Sequence, residues 1–462
     1  MTDTWTSHLP EIFRSLSSRE YIIPPAYRLG TDAYLVPSPD RQDLIFSFPA
    51  QFTLSFLEEY SLPRSASAGA VHALIEHCKK TAVKHAELGL LYGAKTTNQS
   101  RYAANIEPCT IASSPQALAS HLWRPDNENI LLSDGVQLSI RGALPYLPLS
   151  PSSITTITDM IRCFLDAIAT CLEHVPRRLL THSWEAVLDQ QHLRCELAAM
   201  NLVCFIGDGT RPARTYTRYR SWHRIAGPKD GVHVPFSCPP ELTPLEITLA
   251  GTNQTITGLG IGRGEIIAIT GSNAEGKSTL LQAISAGEDD HAPGDGREHL
   301  VTVPGGTCPD ATASELKGAD LRPFFEQIPP GMGGTPAAAF GQGSGSACMA
   351  SRISDALRRS APYIIIDEDR AAQNLMVPCY MSSSTVRSLA HLFAQDRRTC
   401  GETTFIIAGS GMELLIAQAD RILMLQSHTP HAISGDTYRA GLHRHYLHMA
   451  QIIAEKLREP KY

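Results

Sequence analysis

The chain of 462 residues is too long for one small core, and two or three domains are expected. Hydrophobic residues make up 43% and charged residues 19%, which is typical of a soluble globular protein. The net charge of -6 gives no sign of nucleic-acid binding by the chain as a whole, so any basic surface must be local. No apolar run approaches the roughly 18 residues of a membrane span, and residues 1–13 show no secretory signal. The 11 cysteines form no C-x-x-C pair, which predicts reduced thiols in a cytoplasmic protein.

Residues 1–240 are predicted to form an α/β region. Its expected elements are short strands at 34–36 and 44–48, a helix within 67–92, a hairpin over 129–142, and helices at about 153–173 and 183–199. The hairpin prediction depends on the turn Asp134-Gly135. The Pro-rich stretch 234–244 is the predicted boundary with the next domain.

Residues 271–279 read GSNAEGKST and match the phosphate-loop pattern G-x-x-x-x-G-K-[ST]. Gly271 would end the preceding strand, EIIAITG, in a tight turn, and Gly276 would let the backbone approach phosphates. Lys277 would reach the β- and γ-phosphates, and Ser278 would bind Mg²⁺. The predicted ATP-binding residues of the loop are Gly271, Ser272, Asn273, Ala274, Glu275, Gly276, Lys277, Ser278 and Thr279. A chance Gly-rich turn is the alternative, which the flanking strand and helix disfavour.

Glu275 places an acid inside a loop that would hold anions. It occupies one of the free x positions of the pattern. Backbone N–H groups, Lys277 and Mg²⁺ would hold the phosphates, so the Glu275 side chain is expected to turn toward solvent or toward a facing subunit.

The stretch PYIIIDED, residues 362–369, predicts a buried strand that runs into two acids. Asp367 could hold Mg²⁺ through water. Glu368 would act as general base on the attacking water, an effect worth about 10² to 10⁴ in rate. A buried strand with a solvated acidic end is the alternative, which the pairing with the phosphate loop disfavours. Lys277 and Glu368 are the predicted catalytic residues.

The third motif is GSGSACMASRISDALRRS, residues 343–360. Ser344 lies 23 residues before Asp367, which is the spacing of the Leu-Ser-Gly-Gly-Gln signature in ATP-binding cassettes. Ser344, Gly345 and Ser346 would bind, at a helix start, the γ-phosphate of an ATP held by another subunit. This arrangement predicts a homodimer; a flexible Gly/Ser linker before a helix is the alternative.

The chain resembles the predicted ATPases of the ABC class, a soluble group that includes a trypanosome mitochondrial RNA-editing ATPase. The resemblance covers roughly residues 129–430 and fits residues 129–240 better than 1–128. It depends on the stretches GLGIGRGEIIAITGSNAEGKSTLLQAI, HAPGDGREHLVT, GSGSACMAS, IIIDEDRAAQNLM and IIAGSGMELLIAQADRILML.

The resemblance implies an α/β P-loop NTPase fold of ABC-cassette type. The cassette core is expected at 241–425, after an N-terminal α/β region at 1–240 and before a short C-terminal helical tail at 426–462. It also implies that Asp369 and Asn374 lie at the dimer interface, in the place of the cassette's D-loop.

Two features depart from transporter cassettes. The position of the switch histidine reads Gly409-Ser410-Gly411, which makes Ser410 the candidate sensor of the γ-phosphate. No glutamine follows LVTV closely, so Gln327 and Gln342 are only loose candidates for the Q-loop. Both departures leave the rate of hydrolysis open.

Residues 211–229 read RPARTYTRYRSWHRIAGPK, with interleaved basic and aromatic side chains and no acid. Such a composition is typical of surfaces that bind single-stranded RNA or DNA. A solvated basic arm, or aromatic packing over adenine, is the alternative. The candidate nucleic-acid contacts are Arg211, Arg214, Arg218, Arg220, Trp222 and Arg224.

The C-terminal stretch holds His443, His445 and His448, but only the last two would share a helix face. A solvated helix is therefore predicted here rather than a metal site.

Together these patterns predict a cytoplasmic ATPase that uses ATP and Mg²⁺ as a homodimeric clamp or motor on RNA or other nucleic acid. One alternative is the nucleotide-binding subunit of a membrane transporter, which the missing switch histidine and the 240 upstream residues disfavour. The other is an ATP-gated scaffold with little hydrolysis.

Overall fold

The computed structural model describes residues 34–37, 43–60, 63–82, 85, 87–88, 122–123, 129–145, 150–213, 215–216, 225–226, 234–380 and 385–458. Within them the strands are β1 Tyr34–Pro37, β2 Asp43–Thr53, β3 Leu122–Trp123, β4 Ile130–Leu131, β5 Gly135–Pro145, β6 Leu202–Gly207, β7 Thr215–Tyr216, β8 Ile225–Ala226, β9 Leu245–Thr248, β10 Thr255–Gly262, β11 Ile266–Thr270, β12 Asp290–His291, β13 Leu300–Thr302, β14 Glu315–Ala319, β15 Gly333–Thr335, β16 Ala338–Gln342, β17 Tyr363–Asp367, β18 Thr404–Ala408, β19 Arg421–Gln426 and β20 Thr429–Ile433. The α-helices are α1 Ser67–Ala82, α2 Pro151–Glu173, α3 Arg177–Ala199, α4 Lys277–Ala286, α5 Gly345–Arg358, α6 Gln373–Met376, α7 Leu389–Gln395, α8 Glu413–Ile416 and α9 Gly435–Arg458.

The N-terminal part packs helices on a four-stranded antiparallel sheet of order β1-β2-β5-β4. The predicted hairpin is confirmed, because β4 and β5 are joined by a turn in which the Leu132 N–H donates to the Gly135 carbonyl at 2.8 Å. Apolar side chains of the sheet and of α1, α2 and α3 form one buried core. Two helix predictions differ in length: α1 ends at Ala82, and α3 begins at Arg177, six residues before the predicted start.

A second antiparallel sheet has the order β13-β6-β10-β9. Strands β9 and β10 form an antiparallel pair on either side of residues 249–254. Asp189 of α3 holds their turn, since its carboxylate accepts from the N–H groups of Gly251 at 2.6 Å and Thr252 at 3.1 Å. Strand β6 pairs with β10, so residues on both sides of the predicted boundary at 240 share this sheet.

The third sheet, of order β17-β18-β11-β19-β20, is parallel except for β20. Strands β11 and β18 are buried along their whole length, because helices cover both faces of such a sheet. The carboxyl ends of β11 and β17 lie at the same edge, with β18 between them. This topology brings the phosphate loop after β11 close to Asp367 at the end of β17.

Two further parts complete the described chain. The antiparallel sheet β14-β16-β15 precedes α5. Strand β20 pairs with β19, so residues 429–433 of the predicted tail belong to the third sheet and the helical tail is α9. None of the described helices combines the length and the apolar character that crossing a membrane requires.

Candidate functional site

The phosphate loop connects buried β11 to α4, as the sequence predicts. Gly271 has a φ of 133°, and a Cβ at this residue would lie 2.2 Å from the carbonyl oxygen of Leu425. Gly276 has a φ of 97° and is the N-cap of α4. Both positions therefore require glycine, and the loop ends at a helix N-terminus suited to anions.

Lys277, Ser278 and Asp367 meet at the start of α4. The Lys277 ammonium donates to the carbonyls of Gly271 at 2.7 Å and Ser272 at 2.8 Å. The Ser278 hydroxyl donates to Asp367 Oδ1 at 3.4 Å. Burial raises the pKa of Asp367, although hydrogen bonds such as the one from Ser278 oppose the rise. A hydroxyl beside a poorly solvated carboxylate is a donor set that suits Mg²⁺.

A cavity of about 390 Å³ lies between the loop and the ends of the strands. It is lined by Asn273, Ala274, Gly276, Lys277, Ser278, Thr279, Asp367, Glu368, Asp369 and Ala408. Most of the residues predicted for phosphate, metal and general-base roles thus border one space.

Glu368 is held by the loop after β18. Its Oε2 accepts from the Ser410 backbone N–H at 2.6 Å, and its Oε1 accepts from the Gly411 N–H at 2.9 Å. A Cβ at Gly409 would lie 2.8 Å from Oε2, and one at Gly411 would lie 2.5 Å from Oε1. The glycines at the position of the missing histidine therefore leave room for this carboxylate. Ser410, the candidate sensor, contacts Glu368 through its backbone.

Ser344 is the N-cap of α5, and its hydroxyl accepts from the Ala347 N–H at 3.3 Å. Ser346 donates to the Asn374 side chain at 2.7 Å, which joins the start of α5 to the segment after β17. Ser344 is not one of the described residues that line the phosphate cavity. Gln327 and Gln342, the loose Q-loop candidates, do not border it either.

The described part of the basic segment is small. Arg211 is exposed, and its N–H donates to the Gly296 carbonyl at 2.6 Å. Strands β7 and β8 pair as an antiparallel ladder. Arg214, Arg218, Arg220, Trp222 and Arg224 lie outside the described residues.

Glu275 has a contact that sequence reasoning missed. Its carboxylate accepts from the His428 N–H at 3.0 Å, and its carbonyl oxygen lies 3.1 Å from His428 Nδ1. His428 belongs to the two-residue turn between β19 and β20, so the Glu275 side chain turns toward this hairpin. The sequence pattern that could have predicted this hairpin is the pair of strand-like stretches on either side of Ser427-His428.

Two family models match the chain: the P-loop domain of ABC_ATPase over residues 176–458, and ABC_N, the N-terminal part of ATPases of the ABC class, over residues 16–177. An uncharacterized protein of Methanocaldococcus jannaschii is 36% identical over 432 residues, which cover 92% of this chain and 93% of the relative.

Two solved structures match parts of the chain. One is a cbiO1 protein from Clostridium perfringens, part of the ABC transporter complex cbiONQ, which is 12% identical with a TM-score of 0.31. The match covers 56% of this chain and 97% of the cbiO1 chain. The other is a bacterial Atm1-family ABC exporter with ATP bound, which is 14% identical with a TM-score of 0.28. The match covers 68% of this chain and 54% of the exporter chain. Because the family models together span most of the sequence, the chain belongs to the ATPases of the ABC class.

Proposed function

We propose that the chain binds ATP with Mg²⁺ at the phosphate loop and hydrolyses it. The observation that carries the proposal is the single cavity bordered by Lys277, Ser278, Asp367 and Glu368. These four side chains supply a cation for phosphates, two metal-binding oxygens and a carboxylate that can accept a proton.

Each residue has a separate role in this reaction. The N–H groups at the start of α4 and the Lys277 ammonium would bind the β- and γ-phosphates. Ser278 and Asp367 would hold Mg²⁺, which supplies positive charge to the phosphate oxygens. Glu368 would orient the attacking water and accept its proton. The N–H groups of Ser410 and Gly411 fix the carboxylate for that task.

The site also requires a second copy of the chain in our proposal. Ser344 begins a 14-residue helix, and the free N–H groups of such a helix start attract phosphate oxygens. Because Ser344 does not border the cavity of its own chain, we propose that it completes the site of a facing copy. ATP would then hold two copies together as a clamp.

The first test compares wild-type protein with Lys277→Ala in ATP binding and phosphate release. We expect Mg²⁺-dependent binding and slow release by the wild type, and loss of both in the variant. Lys317→Ala is the matched control, because Lys317 is an exposed lysine on β14 whose amine pairs only weakly with Glu315 at 3.5 Å. If the wild type binds no adenine nucleotide with Mg²⁺ present, the proposal fails.

A nucleic-acid strand is the substrate that we propose for the clamp. The support is the composition of residues 211–229, in which basic and aromatic side chains are interleaved and no acid occurs. Basic groups in such a segment can bind phosphates while aromatic rings stack on unpaired bases. A transporter subunit and an ATP-gated scaffold remain the alternatives. Stimulation of phosphate release by single-stranded RNA would separate the first proposal from both.

A further inference from the structure

A second cavity, of about 260 Å³, lies on the other side of the phosphate loop. It shares Ala274, Gly276 and Thr279 with the phosphate cavity, so one ligand could extend from one space into the other. Its volume is below the range of about 300–1000 Å³ that is typical of drug-sized ligands, and it suits one planar ring system.

The walls of this cavity combine apolar and polar groups. The apolar side chains include Pro212, Val234, Phe236, Leu425 and Pro430. Phe236 and Leu425 are buried in the core beneath, so the cavity floor is firmly packed. A space with both apolar and polar walls beside a phosphate site is suited to a nucleobase, whose faces are apolar and whose edge is polar.

The polar side chains at this cavity are those of Glu275, Thr279 and His428. His428 is the second residue of the turn Ser427-His428, and both residues have positive φ, 49° and 62°. Two-residue hairpin turns of this kind favour Asn-Gly. Histidine also adopts positive φ more often than most residues, so the turn can present its ring beside the cavity.

Glu275 fixes the orientation of the His428 ring. Its carboxylate accepts from the His428 backbone N–H, and its carbonyl oxygen lies 3.1 Å from Nδ1. A carbonyl oxygen can only accept, so Nδ1 carries the proton of this contact. In the neutral ring Nε2 is then an acceptor. The cavity is therefore bordered by a ring that can accept a hydrogen bond from a ligand.

We propose that this cavity binds the adenine of the nucleotide and that His428 selects adenine by accepting a hydrogen bond from its exocyclic amino group. Guanine and hypoxanthine carry an oxygen at that position, which is also an acceptor and cannot replace the amino group. Glu275 is a positioning residue, which explains an acid in the phosphate loop. The inference rests on the proposed function, since the phosphates of the same nucleotide must lie in the loop.

The test measures affinities for ADP and for inosine diphosphate, which differ at this position in carrying an amino group or an oxygen. Diphosphates are used so that hydrolysis does not disturb the titration. We expect the wild type to prefer ADP by about three- to tenfold, which is the contribution of one hydrogen bond. His428→Gly should lose the preference by weakening ADP alone.

The variants separate the ring from the turn. Glycine tolerates positive φ, so His428→Gly should fold, as its melting temperature will verify. Ser427→Gly changes the neighbouring residue of the same turn and should keep the preference. Glu275→Gln retains one oxygen acceptor and should keep the preference for ADP too, whereas Glu275→Ala should reduce this preference.

The outcomes distinguish this inference from the proposed function. If the wild type binds neither diphosphate, the proposed function fails. If it binds both equally, or if His428→Gly keeps the preference, nucleotide binding stands and the role of His428 is wrong.

A ribose hydroxyl could also donate to Nε2, so 2′-deoxy- and 3′-deoxy-ADP are included. The adenine contact would be contradicted if the wild type bound either deoxy analogue more weakly than ADP and His428→Gly bound that analogue and ADP equally well.

Discussion

The backbone N–H of Gly411 donates a 2.9 Å hydrogen bond to the Glu368 carboxylate. Together with the Ser410 N–H, it orients the carboxylate by main-chain groups that cannot change rotamer. A preorganised base costs little reorganisation at the moment of reaction. We therefore expect the Gly-Ser-Gly loop to replace the positioning contribution of the missing switch histidine.

Replacing Gly411 tests this positioning role. In Gly411→Ala the new Cβ would lie 2.5 Å from Glu368 Oε1, so the carboxylate must move. Misplacement of a general base by about 1 Å can cost on the order of 10² in rate. We expect kcat for ATP hydrolysis to fall at least tenfold while ADP affinity stays unchanged.

Ser410→Ala is the companion variant, because it removes the hydroxyl and keeps the N–H that Glu368 accepts from. If Ser410→Ala hydrolyses ATP with the wild-type kcat, the backbone N–H groups position Glu368. If kcat falls in Ser410→Ala but not in Gly411→Ala, the result would instead support the Ser410 hydroxyl as the sensor of the γ-phosphate.

Glu368→Gln should separate ATP binding from hydrolysis. The amide has the shape of the carboxylate but cannot accept a proton from water, so we expect hydrolysis to slow by about 10² to 10⁴. ATP binding should persist, because the phosphate loop is unchanged. Single-turnover measurement of phosphate release checks the chemical step. Glu402→Gln, which changes an exposed glutamate, is the control and should hydrolyse at the wild-type rate.

Asp420 should make the stability of the third sheet depend on pH. Partial burial opposes its ionisation, but the Arg397 guanidinium and the Ile266 N–H outweigh burial and lower the pKa of Asp420. A lowered pKa stabilises the fold above the unfolded value of about 3.9, and this stability is lost as pH falls through the folded value.

We therefore expect Asp420→Asn to be about 0.5–1 kcal/mol less stable than wild type near pH 7, since the partner Arg397 is exposed to solvent. The difference should begin to shrink near pH 3.9 and disappear only below the lowered pKa of the folded state. Urea unfolding at several pH values measures it. Asp436→Asn is the control, because that carboxylate is 94% exposed and should contribute little. A gap that persists in acid would contradict the assignment.

The local motifs of the site could be predicted from the sequence. Lys277 and Ser278 follow directly from the loop pattern, and Asp367 from the apolar strand that precedes it. Ser344 at a helix start followed from its spacing to Asp367, and the structure has it as the N-cap of α5. The positions of these residues in the fold could be predicted because short-range patterns fix each one at a strand end or helix start.

Contacts between distant residues could not be predicted in this way. Glu275 and His428 are 153 residues apart, and only the pairing of β11 with β19 brings their loops together. Strand β6 was placed with the N-terminal region because the Pro-rich stretch suggests a boundary, whereas its hydrogen bonds go to β10 and β13. A strand's periodicity gives its faces and not its neighbours in the sheet.

The basic segment should make nucleic-acid binding sensitive to salt. For roughly four phosphate contacts at about -0.7 each, the log–log slope of single-strand affinity against salt should be near -3. Replacing Arg218 and Arg220 together with alanine should bring the slope to about -1.5. Fluorescence anisotropy with labelled single-stranded RNA measures both. Arg398→Ala, at an exposed arginine near α7, is the control. Absent or salt-independent binding would rule out this surface.

A mixing experiment tests whether ATP lies between two copies of the chain. Lys277→Ala disables the phosphate loop, and Ser344→Arg should block the helix start that we expect to face the partner's ATP. Each variant alone should be inactive. In a mixed dimer, however, the intact loop of the Ser344→Arg chain would face the intact Ser344 of the Lys277→Ala chain.

Random mixing makes half of the dimers mixed, each with one working site of two, so we expect about a quarter of the wild-type rate. Phosphate release after mixing equal amounts measures the recovery. The control is an equal mixture of wild type with a variant that carries both substitutions in one chain. This mixture forms mixed dimers in the same proportion. If ATP were held within a single chain, the two inactive variants would stay inactive together, because neither contains both groups.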